Sequence, residues 1–150
     1  MKNLVILILT ISVFFVEISN ATTYYVATNG NDNNSGTIDK PFKTLQKISS
    51  LSLNPGDIVY IRAGTYYSGA NWSSPQYAWQ LNGKNGNSSN WITIAAYPGD
   101  FPSGGRVVFD LSDYSHSGTF SGIWITNCSY LLIKGIRVTG LPQATTANIT

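Results

Sequence analysis

The segment LLIKGIRVT, residues 131–139, constrains the fold more tightly than any other part of the chain. Apolar residues alternate along it, but the alternation changes phase in the middle. Ile133 lies on one parity, Ile136 and Val138 lie on the other, and Gly135 stands at the slip. Successive side chains of a strand point to opposite faces, so one straight strand cannot bury all three. A glycine at a phase slip marks a bend or bulge between two short strands. A coil of strands turns its corner in this way, and an all-β coil is the expectation.

The rest of the chain is consistent with short strands divided by turns. Residues 58–62 are apolar nearly throughout, which suits a parallel strand buried on both faces. Residues 91–95, 107–109 and 123–126 alternate cleanly. Gly99-Asp100, Ser103-Gly104-Gly105 and residues 127–130 are turn material. No Asn-Gly or Asp-Gly pair joins two alternating runs directly, so the strands do not read as a series of hairpins. A small β-sandwich is the rival architecture, because short strands at regular spacing fit it too.

One helix is expected, over residues 41–51. Pro41 suits a first helical position and Asp39 can cap just before it. Phe42, Leu45 and Ile48 recur every three residues and Leu51 continues the stripe, while Lys43, Gln46 and Lys47 fall on the other side. Asn54-Pro55-Gly56 ends it. A helix with one apolar stripe must cover something. The open first rung of a stacked coil exposes unpaired backbone groups and needs a terminal cap. The cap helix and the phase slip together favour a solenoid over a sandwich.

The first 21 residues read as a signal peptide. Lys2 supplies the positive start, residues 4–16 an apolar run, and Ser19-Asn20-Ala21 the small residues of a cleavage site. The run is shorter than the ~20 residues of a membrane span. Cleavage after Ala21 and a secreted, extracellular product are expected, with residues 22–150 forming one domain and no membrane partner remaining. A net charge of +2 is too weak to argue for nucleic acid. Charged residues make up only 11% of the chain, so its polar character rests on Asn, Ser, Thr and Gly. Cys128 is the only cysteine, which excludes an internal disulfide and a cysteine metal site; it is expected to be a buried small residue.

Several longer patterns resemble one family. They are GTIDKPF at residues 36–42, PGDIVYIRAGTY at 55–66, WITIAAYPGDFPSGGRVVFD at 91–110 and GIWITNCSYLLIKGIRVTG at 122–140. Their order resembles the N-terminal cap and early rungs of family 9 polysaccharide lyases, the Pel9A-like pectate lyases. The resemblance implies a right-handed parallel β-helix. Residues 22–150 would be its cap and first rungs, truncated at the C-terminus, since residues 147–150 follow a strand without a closing cap. It also implies an acidic polysaccharide partner such as pectin or polygalacturonate, cleaved by β-elimination. In that reaction Ca2+ binds the uronate carboxylate and acidifies the C5 proton, and a lysine removes it. In the family those groups lie on later rungs. Nothing here matches them, and no acidic residue follows Asp113. No catalytic or metal residue is therefore assigned, and these 150 residues alone are expected to be inactive. The alternative is a non-catalytic extracellular β-helix for carbohydrate binding or adhesion.

Other constellations have blander explanations. In residues 29–36, Asn31, Asn33, Ser35 and Gly36 partly fit a calcium loop, but Phe42 stands where the bidentate glutamate belongs. Asx and glycine turn chemistry explains the loop better. Asp110, Asp113 and His116 lie close in sequence, but a hydrolytic triad is defined by geometry, so a polar loop is the better reading. His116 is the only histidine, which rules out a multi-histidine metal site. Lys134 and Arg137 project from a strand, either solvated or facing an acidic sugar. Tyr66, Tyr67, Trp72, Tyr77, Trp79 and Trp91 make residues 66–91 rich in aromatics. They are expected to pack as an insert over the first rung, with sugar stacking as the minority view. Asn33, Asn71 and Asn87 begin N-glycosylation patterns, which matter only in a eukaryotic source.

Overall fold

Parallel strands joined by one-residue or few-residue corners can bury a common set of side chains only by winding into a coil. The computed structural model shows that coil, and describes residues 20–68, 77–113 and 121–140. In chain order the elements are β1 (Thr23–Val26), α1 (Leu45–Ser50), β2 (Ile58–Ile61), β3 (Gly64–Tyr67), β4 (Tyr77–Asn82) and β5 (Ile92–Ala96). A 3-10 turn (Pro98–Ser103) then leads to β6 (Val107–Asp110), β7 (Ser121–Thr126), β8 (Leu131–Lys134) and β9 (Ile136–Thr139). They form three parallel sheets, ordered β1-β2-β5-β8, β3-β6-β9 and β4-β7. Each sheet takes one strand from each successive coil. The fold is the expected all-β parallel β-helix.

Register stacks like residues over one another inside the coil. Tyr24, Val59, Ile94 and Ile133 align across the first sheet, and Tyr66, Phe109 and Val138 across the second. Trp79 over Ile123 continues the core in the third, where Leu81 is also buried, while Ile125, its partner in register, is exposed. The phase slip is the corner between the first two sheets. Gly135 has φ +77°, and a Cβ there would lie 2.8 Å from the Ala96 Cβ on the coil beneath. A side chain is refused on both counts.

Four sequence expectations are corrected. The helix is shorter than residues 41–51: it spans Leu45–Ser50, capped by the Thr44 side chain, which accepts the Lys47 N–H. Neither Pro41 nor Asp39 opens it. Phe42 is extended instead, because its N–H donates to Tyr25 O and its carbonyl accepts the Ala27 N–H, tying it to β1. Phe42, Leu45 and Ile48 are all buried, so the stripe was right although only two of the three are helical. Strand β2 is not buried on both faces. Val59 and Ile61 are buried, while Ile58 and Tyr60 are half-buried on the outside, where Tyr60 packs against Tyr25 and Tyr97. Residues 66–91 are not one insert, since β4 belongs to the stack itself and places Trp79 in the core. Cys128 is only partly buried, at the edge of the core; its Sγ donates to the Thr126 carbonyl at 3.1 Å.

The helix covers the first coil as a cap should. Leu45 and Ile48 enter the core, Ser49 Oγ donates to the Gln80 carbonyl on β4, and Gln46 Nε2 donates to the Ser68 carbonyl after β3. Burying each large apolar side chain contributes about 1.5–3 kcal/mol. Lys84, after β4, reaches back to the end of the helix. Its Nζ lies 2.9 Å from Ser49 O and 2.5 Å from Leu51 O. Among the described residues no helix is long and apolar enough to cross a membrane.

Candidate functional site

The acidic side chains of the described residues are chiefly occupied by the main chain. Asp32 Oδ1 accepts the N–H groups of Lys43 and Thr44, and its Oδ2 accepts the Thr44 hydroxyl. Asn31 accepts the Asn33 N–H, and Asn34 donates to the Pro41 carbonyl. The loop at residues 29–36 thus fastens β1 to the cap by Asx chemistry. The two Pro-Gly-Asp turns work alike. Asp57, fully buried, accepts the N–H of Thr22 at 2.7 Å and of Asn54 at 2.8 Å. Asp100 accepts the Ala63 N–H and holds Arg62 through a two-pronged ion pair at 2.9 Å. That hydrogen bond with Arg62 draws the Asp100 carboxyl below its usual range and raises the Arg62 guanidinium, which also stacks on Tyr97.

Asp110 and Asp113 serve separate contacts. Asp110 Oδ1 accepts the Ser112 N–H, and Asp113 Oδ1 accepts the hydroxyl and N–H of Ser68. His116 lies outside the described residues, as do Trp72, Asn71 and residues 1–19 of the expected signal peptide. Among the described residues no three His, Cys, Asp or Glu side chains cluster as metal ligands. Lys134 and Arg137 are exposed but on different sheets, because Gly135 turns the corner between them. Lys134 continues the outer row of Tyr25, Tyr60 and Ala95, whereas Arg137 follows Thr65 and Val108.

The aromatic residues divide between core and surface. Tyr66 is buried, its hydroxyl donating to the Arg62 carbonyl, and burial pushes its phenol well above the ordinary range. Trp79 is buried edge-on to Phe109. Tyr77 stacks on Trp124, and Trp91 meets Tyr130 edge-on at the surface. Tyr67 is 56% exposed. Asn33 and Asn87 are exposed, and Asn87 Oδ1 accepts the N–H groups of Ser89 and Asn90.

Sequence reasoning missed the place where Tyr67 stands. Beside it, a cavity of about 270 Å³ opens between the cap and β3, lined by Thr28, Lys43, Thr65 and Tyr67 over Leu45. Strand β3 ends its sheet, and no strand among the described residues pairs with its other edge. The residues come from three separate segments, so no local spacing announces them. Lys84, 5% exposed, was also missed. Its burial lowers the ammonium pKa.

Three comparisons agree with this geometry. Rhamnogalacturonan lyase is 33% identical, with a TM-score of 0.67 over 79% of this chain and 28% of its own. Pectate lyase Pel9A is 28% identical, with a TM-score of 0.53 over 80% of this chain and 28% of its own. The uncharacterized protein YwoF of Bacillus subtilis (strain 168) is 30% identical over 134 residues, which are 78% of this chain and 28% of that protein. The chain thus spans 28% of the length of each. A family model described as the Pel9A-like, right-handed β-helix region matches residues 24–150, and the chain belongs to that family.

Proposed function

We propose that this chain is the cap and first coils of a secreted polysaccharide lyase that cleaves uronate polymers by β-elimination. The observation that carries the reading is the 33% identity and shared coil with rhamnogalacturonan lyase. The similarity to pectate lyase Pel9A points to the same substrate class.

Calcium is the cation the family resemblance implies, and it would supply charge at the substrate carboxylate. The described carboxylates do not fit it. Calcium takes six to eight oxygen ligands, whereas both oxygens of Asp32, Asp57 and Asp100 are already taken by main-chain N–H groups, the Thr44 hydroxyl or the Arg62 guanidinium. No step through calcium is assigned to them. The part of these residues is positional: the cap closes the first coil, and the stacked registers set the direction and spacing of later strands.

The test is to express the complete reading frame that contains these codons and incubate the product with polygalacturonate or rhamnogalacturonan, with and without calcium. Ultraviolet absorbance from the unsaturated product is expected on one of them. No absorbance on either refutes the lyase reading. The 150-residue chain assayed alone is expected to give none.

A further inference from the structure

We propose that the cavity between the cap and the free edge of β3 binds one anionic sugar residue, a uronate, of an acidic polysaccharide. The inference rests on the carbohydrate part of the proposed function and adds a place and a charge preference to it.

Three features of the cavity converge on that ligand. Its volume of about 270 Å³ lies just under the ~300–1,000 Å³ of pockets for larger ligands, which suits a single ring. Tyr67 offers an exposed aromatic face, with no ring partner among the described residues, on which the apolar side of a sugar can lie. The hydroxyls of Thr28 and Thr65 have no hydrogen-bond partner among the described residues, and each can donate and accept as sugar hydroxyls require.

Charge selects a uronate over a neutral sugar. The Lys43 ammonium at the rim has no ion-pair partner among the described residues. The acid closest in the bonding network, Asp32, is occupied by the Lys43 and Thr44 N–H groups and the Thr44 hydroxyl. Across the sheet Asp110 stands beside Tyr67 in register, with Oδ1 taken by the Ser112 N–H. Asp113 accepts the N–H and hydroxyl of Ser68, next to Tyr67, and none of these acids ion-pairs with Lys43, so a carboxylate has a cation without an ion-pair partner to meet. An extended peptide added to β3 is disfavoured, because the strand has only four residues and Gln46 Nε2 already holds the Ser68 carbonyl at its end.

The experiment titrates the full protein, with calcium chelated, with a galacturonate trisaccharide and with a neutral galactose trisaccharide. Calorimetry gives affinity, and amide NMR shifts locate the ligand. The acidic sugar is expected to bind about fivefold more tightly, the scale of one partly exposed ion pair. Shifts should centre on Thr65 and Tyr67. Lys43→Gln should bring the acidic sugar to the neutral level, Tyr67→Ala should weaken both, and Lys47→Gln should change neither. Equal binding of the two sugars, wild-type affinity in both variants, or no shifts at Thr65 and Tyr67 overturns the proposal. Both residues are at the surface, so the variants keep the fold. Cleavage without Lys43-dependent binding defeats this inference alone. Lys43-dependent binding without cleavage defeats the lyase reading alone.

Discussion

Lys84→Met tests how the cap is held. Lys84 is 5% exposed, and its ammonium meets two carbonyls at the end of the helix, Ser49 O at 2.9 Å and Leu51 O at 2.5 Å. Methionine keeps an unbranched side chain one atom shorter and removes every donor. Each part-buried carbonyl left without its partner costs about 1–3 kcal/mol, and the cation at a helix C-terminus is worth another ~0.3–1 kcal/mol. Relief from burying the charge, itself several kcal/mol before its hydrogen bonds are counted, offsets much of this. A net loss of about 2 kcal/mol follows, or roughly a 30-fold rise in cap opening. Native-state hydrogen exchange at residues 45–50 reads that opening separately from the rest of the coil.

The pH dependence adds a second readout. Burial lowers the folded-state pKa of Lys84 below that of the unfolded chain. Between the two values the unfolded chain binds more protons, so stability rises with pH across that alkaline window. Below the window the cost of the buried charge is fully present. A neutral amine still donates to both carbonyls, so the cap should tighten in wild type as pH rises, and Lys84→Met should lose that response. Unchanged exchange at residues 45–50, together with an identical pH profile, would refute the anchoring role.

Further substitutions probe the corners and the core. Gly135→Ala forces a left-handed φ on a side chain and drives its Cβ toward Ala96, so a loss of about 2–4 kcal/mol is expected in the urea midpoint. Trp79→Ala empties a fully buried site against Phe109 and should lower stability by about 3–5 kcal/mol in the same assay. Asp57→Ala removes the buried charged acceptor of the Thr22 and Asn54 N–H groups; thermal melting should show a loss of about 2–4 kcal/mol. The Asp100 carboxyl is held below its usual range, so its pairing with Arg62 stabilises above the ordinary carboxylate pKa and is lost as pH falls through the folded value. Because Arg62 is 38% exposed, about 1 kcal/mol is at stake. Asp100→Asn should flatten that part of the acid limb in pH-dependent urea melts.

Local alternation made most of the strands legible. Residues 92–96, 107–110, 121–126 and 131–139 appear close to where their patterns place them, because alternation is a property of neighbours along the chain. The strand at 77–82 was hidden among the aromatics, since Trp79 reads equally as an insert or as core. The helix start was misplaced because Phe42 pairs with β1, a partner set by tertiary contact. Turn chemistry at residues 29–36 was legible as such, but that Asp32 would reach Lys43 and Thr44 was not.

The sequence by itself determined the period of the strands, the slip at Gly135 and the presence of an apolar-striped cap, all of which are encoded within a few residues. Tertiary structure alone decided that Lys84 would hold the helix end, that two Pro-Gly-Asp turns would clamp distant N–H groups, and that Thr28, Lys43, Thr65 and Tyr67 would share a cavity. The reason is physical. Alternation needs only the backbone's own geometry, whereas these contacts depend on which coil lies over which, and winding brings together residues that no local spacing connects.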